Sequence, residues 1–304
     1  MVRNESDIIE LCVRHAAHLA SEVVVMDHLS DDGTYQILQR LASELANLTL
    51  SRLTDLRYRQ AKYTTSAVRE LIRRRPDVEY VVPLDADEFL PFSSAADVLE
   101  YFRANVPIDS CGLMPWVTFC PRESNTHLSR ENLKSSFRAL EREGNRVFKV
   151  VIGSKFGKTC RVKFGNHGAK RWGKNPEYVI LDRSLQHIPI RSERQAIRKF
   201  VLGEHAMSLS ALRRKKGWHW NKLSEKIRRS GFSLDDGEVL DIAKSYACRG
   251  MSPPYPELVE EPTLILAKGL EATCSHSPDI NLLSDFDGFI HRLLERQRRP
   301  RLVR

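Results

Sequence analysis

"VVPLDADEFL", residues 81–90, decides how the rest of this chain is read. A short run of strand character ends abruptly in Asp85, Asp87 and Glu88. Carboxylates this close repel one another and raise each other's pKa unless something positive stands between them. Two arrangements satisfy that electrostatics: the three groups face water, or they hold a cation.

Working outward, the residues before this stretch alternate between two periodicities. Ile8, Leu11, Cys12, Ala16 and Leu19 recur at helical spacing, with Asn4 ahead of them as a candidate N-cap. "SEVVVMD" is short, β-branched and apolar, as suits a buried strand. "SDDGT" makes a turn, Ile37, Leu41, Leu45 and Leu48 mark a second helix, and Val68, Leu71 and Ile72 a third that stops at Pro76. This β-α rhythm predicts an α/β fold with a mostly parallel central sheet over residues 1–205. Further strands are expected at "CGLMPWVTF", "NRVFKVVIG", "CRVKFG" and "EYVILD". Ser192 and Gln195 form a candidate capping box for the helix that follows. Beyond residue 205 the pattern is helical and charged, so residues 206–304 are expected to form a helical region with a basic tail. In open α/β sheets ligands bind beyond the carboxyl ends of the strands. Asp27 ends one strand and Asp85 and Asp87 follow another, so all three are expected to open into one cleft.

Composition narrows the classes. The chain has 304 residues and a formal net charge of +9, a balance that suits phosphorylated ligands, nucleic acid or anionic lipid. The six cysteines show no CxxC spacing and are read as reduced thiols of a cytoplasmic protein. No apolar run approaches the roughly 20 residues of a membrane span, and no signal-peptide pattern opens the chain. The tail "RLLERQRRPRLVR" carries six arginines against one glutamate. It reads as a solvated end, with a peripheral contact to an anionic membrane as the competing reading. "RRKKGWHW" interleaves cations with aromatics and supports a rival reading as a nucleic-acid-binding protein. That rival leaves the carboxylates unexplained and matches no nucleic-acid motif, so no nucleic-acid partner is expected. A metal-dependent nuclease is a third possibility. A haloacid-dehalogenase-type phosphatase wants Thr or Val two residues after its second Asp, where this chain has Phe89. Neither GxGxxG nor GxxxxGK[ST] occurs, so dinucleotide and P-loop readings lack a phosphate cradle.

Four stretches carry a resemblance: "VRNESDIIELCVRHA", "VVVMDHLSDDGT", "VVPLDADEFL" and "LQHIPIRSERQAIRKF". In this order they resemble a branch of the family 2-like glycosyltransferases, over roughly residues 2–205. The resemblance implies the GT-A fold, a Rossmann-like nucleotide-diphospho-sugar transferase architecture. It also implies transfer of a sugar from a nucleotide-sugar donor, usually with Mn²⁺ or Mg²⁺. The acceptor, whether glycan, lipid-linked or protein, stays open. By the same likeness Asp85 and Asp87 are the metal-binding pair, reaching the donor diphosphate through the ion, with Glu88 near the sugar. Arg3, Asn4 and Glu5 resemble the first nucleotide-binding loop, and Asp27 with Ser30 and Asp32 the base and ribose contact. His187 matches the motif histidine, an additional metal-ligand candidate, with Arg191 and Lys199 as cations facing phosphate. The chain departs from the pattern at Ile188, where the family has Tyr. The strand expected before "VRNE" is also absent from a sequence that begins at Met1.

No adjacent Glu-Asp or Asp-Asp pair lies between residues 100 and 190, so the base that deprotonates the acceptor is sought elsewhere. Asp182 and His167 are the candidates by position, since a carboxylate or imidazole within hydrogen-bond reach can take that proton. Among Trp116, Trp172, Trp218 and Trp220, Trp172 with its cationic neighbours is the expected sugar-stacking platform.

Overall fold

The computed structural model describes residues 1–55, 57–122, 130–141, 147–208, 218–230, 233–248, 251 and 253–270. The first part follows the expected alternation: α1 (Ile9–Leu19), β1 (Val23–Asp27), α2 (Thr34–Glu44), β2 (Leu48–Arg52), α3 (Gln60–Arg74), β3 (Tyr80–Val81), β4 (Glu88–Phe89) and α4 (Ala95–Asn105). β1 and β2 pair in parallel from Val23 opposite Leu48 to Asp27 opposite Arg52. Ile9 and Val13 of α1 and Ile37, Leu38 and Leu41 of α2 bury their apolar stripes against this pair. Asn4 does not cap α1: it adopts the left-handed region at φ 58°, and the helix starts after Ile8 without a side-chain cap.

The second part reads β5 (Cys111–Pro121), α5 (Arg130–Ser136), β6 (Phe137–Leu140), β7 (Phe148–Gly153), α6 (Ser154–Gly157), β8 (Arg161–Val162), β9 (Ala169–Lys170), β10 (Tyr178–Ile180), β11 (Leu185–His187), α7 (Glu193–Ser208), α8 (Trp218–Arg229), α9 (Asp236–Ala247) and β12 (Leu258–Val259). Here the expected mostly parallel sheet is corrected. β5 has parallel neighbours in β10 and β11. The pairings β5–β6, β5–β7, β3–β7, β4–β11 and β6–β12 are all antiparallel. Strand character does not set strand direction: β5 runs against β6 and β7 and with β10 and β11. The sheet is therefore mixed, in an α/β molecule.

α7 runs through the boundary expected at residue 205. Its Ile197 and Phe200 share a buried cluster with Leu223 and Ile227 of α8, Val239 and Ile242 of α9, and Cys120 of β5. The helical region is thus seated on the sheet. At the start of α7, Ser192 Oγ accepts from Gln195 N–H at 3.2 Å, but Gln195 Oε1 turns back to Arg191 N–H at 3.1 Å, one residue earlier than a capping box would place it. No helix among the described residues is long and apolar enough to cross a membrane. None of the five described cysteines forms a disulfide.

Candidate active site

The three carboxylates sit in the turn between β3 and β4. Asp85 N–H donates to Glu88 Oε2 at 2.9 Å and Glu88 N–H to Asp85 O at 3.2 Å, which closes the turn on itself. β4 pairs with β11 so that Glu88 stands opposite His187, and Ile188 N–H donates to Asp87 O at 2.8 Å. That pairing brings a motif from the far end of the sequence against the acidic turn.

Each carboxylate meets a cation supplied by the chain. Lys149, fully buried on β7, places Nζ 2.5 Å from Asp85 Oδ2 and 3.1 Å from Glu88 Oε1. Asp85 Oδ1 also accepts from Gln60 Nε2 at 2.9 Å and Asn166 Nδ2 at 3.4 Å. Lys199 of α7 places Nζ 2.6 Å from Asp87 Oδ2 and 2.9 Å from Pro189 O. Burial alone would lower the Lys149 ammonium and raise Asp87. The neighbouring opposite charges outweigh it, so Lys149 and Lys199 are held above the usual lysine range and Asp87 below the carboxylate range. Glu88 goes the other way: burial first, then Asp85 and Asp87, push it up to about 8 despite Lys149. Glu88 is thereby shifted toward its neutral form.

Around this turn lies a cleft of about 230 Å³, lined among others by Arg3, Glu5, Asp85, Asp87, Trp116 and Lys199. Its rim is two loops fastened together by backbone donors. Asn4 N–H donates to Ser30 Oγ at 3.0 Å, Glu5 N–H to Thr34 Oγ1 at 2.8 Å, Ser6 N–H to Asp32 Oδ2 at 3.1 Å and Asp31 N–H to Asn4 Oδ1 at 3.0 Å. Ser30 and Asp32, expected at the ribose, thus spend acceptors on holding the loops. Asp27 is fully buried at the end of β1, with Oδ2 accepting from Ser30 N–H at 3.3 Å and 3.6 Å from Arg52 Nε. It lies behind Val2 rather than in the lining of the cleft. Arg191 does not face outward to phosphate. It is buried against Asp7 at 2.7 Å and Glu5 at 2.5 Å, binding the start of α7 to the first loop. Glu5 in that cluster is pushed up to about 7, mainly by burial.

Asp182 is not part of the cleft. It is exposed and accepts from the Tyr101 hydroxyl of α4. Trp172 is 85% exposed in a tight turn bridged by Arg171 and Lys174, at φ 49°. The tryptophan of the cleft is Trp116 on β5, stacked on His187 with ring centroids 4.0 Å apart. His167 stands edge-on to the same indole at 5.6 Å, and its Nδ1 lies 2.9 Å from Phe148 O. That contact makes Nδ1 the protonated nitrogen and leaves Nε2 its lone pair. Sequence reasoning missed Lys149, Arg198, Gln60 and Tyr246. The signal for Lys149 was a lysine inside the apolar run "FKVVIG". For Arg198 it was an arginine seven residues beyond Arg191, on α7, where it bridges Asp31 at 2.8 Å and Asp32 at 3.4 Å. "RRKKGWHW" falls mostly outside the described residues, and the basic tail wholly so.

The donor set admits a hard divalent ion only conditionally. Among the described residues no three or more His, Cys, Asp or Glu side chains converge as a metal cage. Mg²⁺ and Mn²⁺ are commonly held by one or two carboxylates with phosphate oxygens completing the shell. Asp87 Oδ1 accepts no hydrogen bond from a described residue, and Asp85 is a third exposed at its side chain. The pair therefore fits an ion that arrives with phosphate and displaces an ammonium. His187 Nε2 lies 3.8 Å from Asp87 Oδ2, near enough to join such a shell or to donate to the carboxylate.

Buried polar atoms without a partner among the described residues cluster near this site: Asp27 Oδ1, His28 Nδ1, Trp116 Nε1 and Asn166 Oδ1. Such atoms are costly unless a ligand or water satisfies them. None of the curated proteins compared with the chain matches it. The model of the family described as "Glycosyl transferase family 2" matches residues 1–162, more than half of the chain and the whole of the acidic turn with its Lys149. The chain belongs to glycosyl transferase family 2.

Proposed function

We propose that this protein moves a sugar from a nucleoside-diphosphate-sugar to an acceptor hydroxyl in the cleft above the Asp85–Asp87 turn. The observation that carries the reading is the pairing of Asp87 with Lys199 at the cleft wall. A lysine has three donors, and Lys199 uses two on Asp87 and Pro189. The third is available to a phosphate oxygen. Negative charge growing on the leaving diphosphate then meets an ammonium already oriented, in surroundings where such stabilisation is strongest. Mn²⁺ or Mg²⁺, held by Asp87 and Asp85 together with the diphosphate, would add Lewis-acid neutralisation at the same place. Arg3 and the Asn4–Glu5 loop, held by Ser30 and Thr34, stand at the nucleotide side.

On the acceptor side, Trp116 offers a face to a sugar ring, beside His187 and Tyr246. Of the two candidates for the base, His167 is the nearer to the cleft, edge-on to Trp116, and is the base in this reading. The resident charges are balanced without a ligand, which favours an anionic donor that arrives with its own cation or displaces Asp87 from Lys199.

The test is calorimetric titration with UDP-, GDP- and dTDP-sugars, each in Mn²⁺ and in EDTA, for the wild type and Asp87→Asn. One donor is expected to bind the wild type, with at least a tenfold loss in the variant. Circular dichroism separates that loss from unfolding, since Asp87→Asn strips Lys199 of its partner. No binding of any nucleotide-sugar to the folded wild type would refute the reading. Equal affinity in Mn²⁺ and EDTA would remove the ion and leave Lys199 as the neutralising group.

A further inference from the structure

Trp172 has no part in the cleft, yet the fold holds it where local preference would not put it. It is 85% exposed at the tip of a two-residue turn, where Arg171 and Lys174 exchange both backbone hydrogen bonds at 2.9 Å. Both central residues have positive φ, 49° for Trp172 and 79° for Gly173, as in a type I′ turn. Asn, Asp or Gly is favoured at the first of these positions, and a bulky side chain there is an outlier. Neither packing nor backbone preference accounts for the indole. The charge around it is one-sided. Residues 154–176 hold seven lysines and arginines and no Asp or Glu. Arg161 of β8 stands directly opposite Lys170 of β9, a like-charge pair that weakens the ladder and that an anion lying over both would relieve. Arg171 packs on the Phe156 ring of α6 at 4.5 Å, lies 5.5 Å from the Trp172 ring and donates from Nη2 to Lys155 O at 3.1 Å. The turn is thus fastened beside exposed Lys155, and exposed Lys174 follows the indole.

We propose that this face, Trp172 with Lys155, Arg161, Lys170, Arg171 and Lys174, docks on an anionic lipid bilayer. An indole suits the boundary of headgroups and acyl chains, where its ring is buried and its N–H keeps a polar partner. The cations meet the anionic headgroups, and lysine stems lie along apolar surface with their heads in water. Single-stranded nucleic acid is the competing partner for such charge, but its binders stack successive bases on a series of aromatics. Trp172 is the one exposed aromatic among the described residues. The hairpin of β8 and β9 also reaches the cleft: between its strands Asn166 donates to Asp85, and His167 stands edge-on to Trp116. Trp172 follows His167 by five residues, no more than about 18 Å of chain. Docking therefore holds the cleft close to the bilayer, within reach of an acceptor carried by a lipid. That consequence rests on the transferase reading; the docking does not.

The experiment is co-sedimentation of the full chain with vesicles of phosphatidylcholine, alone or with about a third phosphatidylserine. Three proteins are compared: the wild type, Trp172→Asn, and Lys155→Glu combined with Lys174→Glu. Trp172→Asn leaves the Asn-Gly pair that such a turn favours, and both lysines are exposed, so circular dichroism should be unchanged in the variants. The wild type should bind the anionic vesicles more tightly than the neutral ones and release them at high salt. Each variant should lose about tenfold or more in affinity. Quenching of tryptophan fluorescence by brominated lipid should be seen in the wild type and lost in Trp172→Asn. Affinity equal to the wild type in both folded variants would overturn the proposal and assign the vesicle binding to another surface, such as the basic tail. No binding of the wild type to anionic vesicles would overturn it equally, as would tighter binding to single-stranded RNA that the same variants lose.

Discussion

Removing the charge of Asp85 and of Glu88 together should cost more than the two removals apart. Lys149 is the reason. Its side chain is fully buried, with Asp85 Oδ2 at 2.5 Å and Glu88 Oε1 at 3.1 Å. Burial raises Glu88 to about 8, so it is readily neutral beside Lys149. In Asp85→Asn, Glu88 can ionise in its place. Giving up a proton at pH 7 from a group raised to about 8 costs on the order of 1 kcal/mol, less once Asp85 no longer repels it. In Glu88→Gln, Asp85 remains, and the Gln carbonyl can still accept from Asp85 N–H. Each single change should therefore cost about 1–2 kcal/mol. The double variant leaves a buried ammonium with no carboxylate, worth about 3–5 kcal/mol or more. A coupling of about 1 kcal/mol is expected from the cycle, about 4 kcal/mol for the double against about 3 for the two singles together, within the range for groups that share a partner. The assay is urea unfolding at pH 7, followed by circular dichroism, for the four proteins. Lys149→Met on the double variant should recover most of the loss. Additivity within about 0.5 kcal/mol, or no recovery by Lys149→Met, would refute the claim that the two carboxylates substitute for one another.

Acid stability should be governed in part by His15. Its Nδ1 accepts from Ala267 N–H at 3.1 Å and its Nε2 lies 3.0 Å from Leu90 O, so the neutral ring is built in, and burial pushes its pKa down to about 4. The unfolded chain takes up that proton from about pH 6.5 downward and the native state only near 4. Stability is thus fully present above 6.5 and falls by roughly 3 kcal/mol as pH drops through this window. His15→Gln should flatten the slope between pH 6.5 and 4 in unfolding curves, and an unchanged slope would exclude His15 as its source. For the tryptophans, Trp172→Ala should shift stability by less than about 0.5 kcal/mol and leave donor binding intact. Trp116→Ala should weaken transfer to the acceptor; the reverse pattern would restore Trp172 as the platform.

The alternating first half was legible because helices and strands write different periods. α1, β1, α2 and α3 stand where Leu11, "VVVMD", Leu41 and Ile72 indicate. Strand direction is not written that way. "CGLMPWVTF" and "NRVFKVVIG" are apolar whichever way they run, so the antiparallel pairing of β5 and β7 is not legible in them. The acidic turn was legible as a charge problem, and its solution was not. Lys149 answers Asp85 from 64 positions away and Lys199 answers Asp87 from 112, separations at which no local pattern links a cation to its carboxylate. Asp182 and Trp172 failed for a related reason: position along the chain says nothing about which side of a mixed sheet a residue occupies. The chain itself sets Lys149 against Asp85 and Lys199 against Asp87. That changes what a ligand must do. In the proposed reading a diphosphate entering this cleft meets the remaining N–H of Lys199 and gains more of the ammonium only by competing with Asp87, while an incoming ion would compete with Lys199 for Asp87. Binding both together relieves both competitions at once, because the ion takes the carboxylate as the phosphate takes the ammonium. Donor and ion should therefore bind with mutual reinforcement, and neither should bind tightly alone.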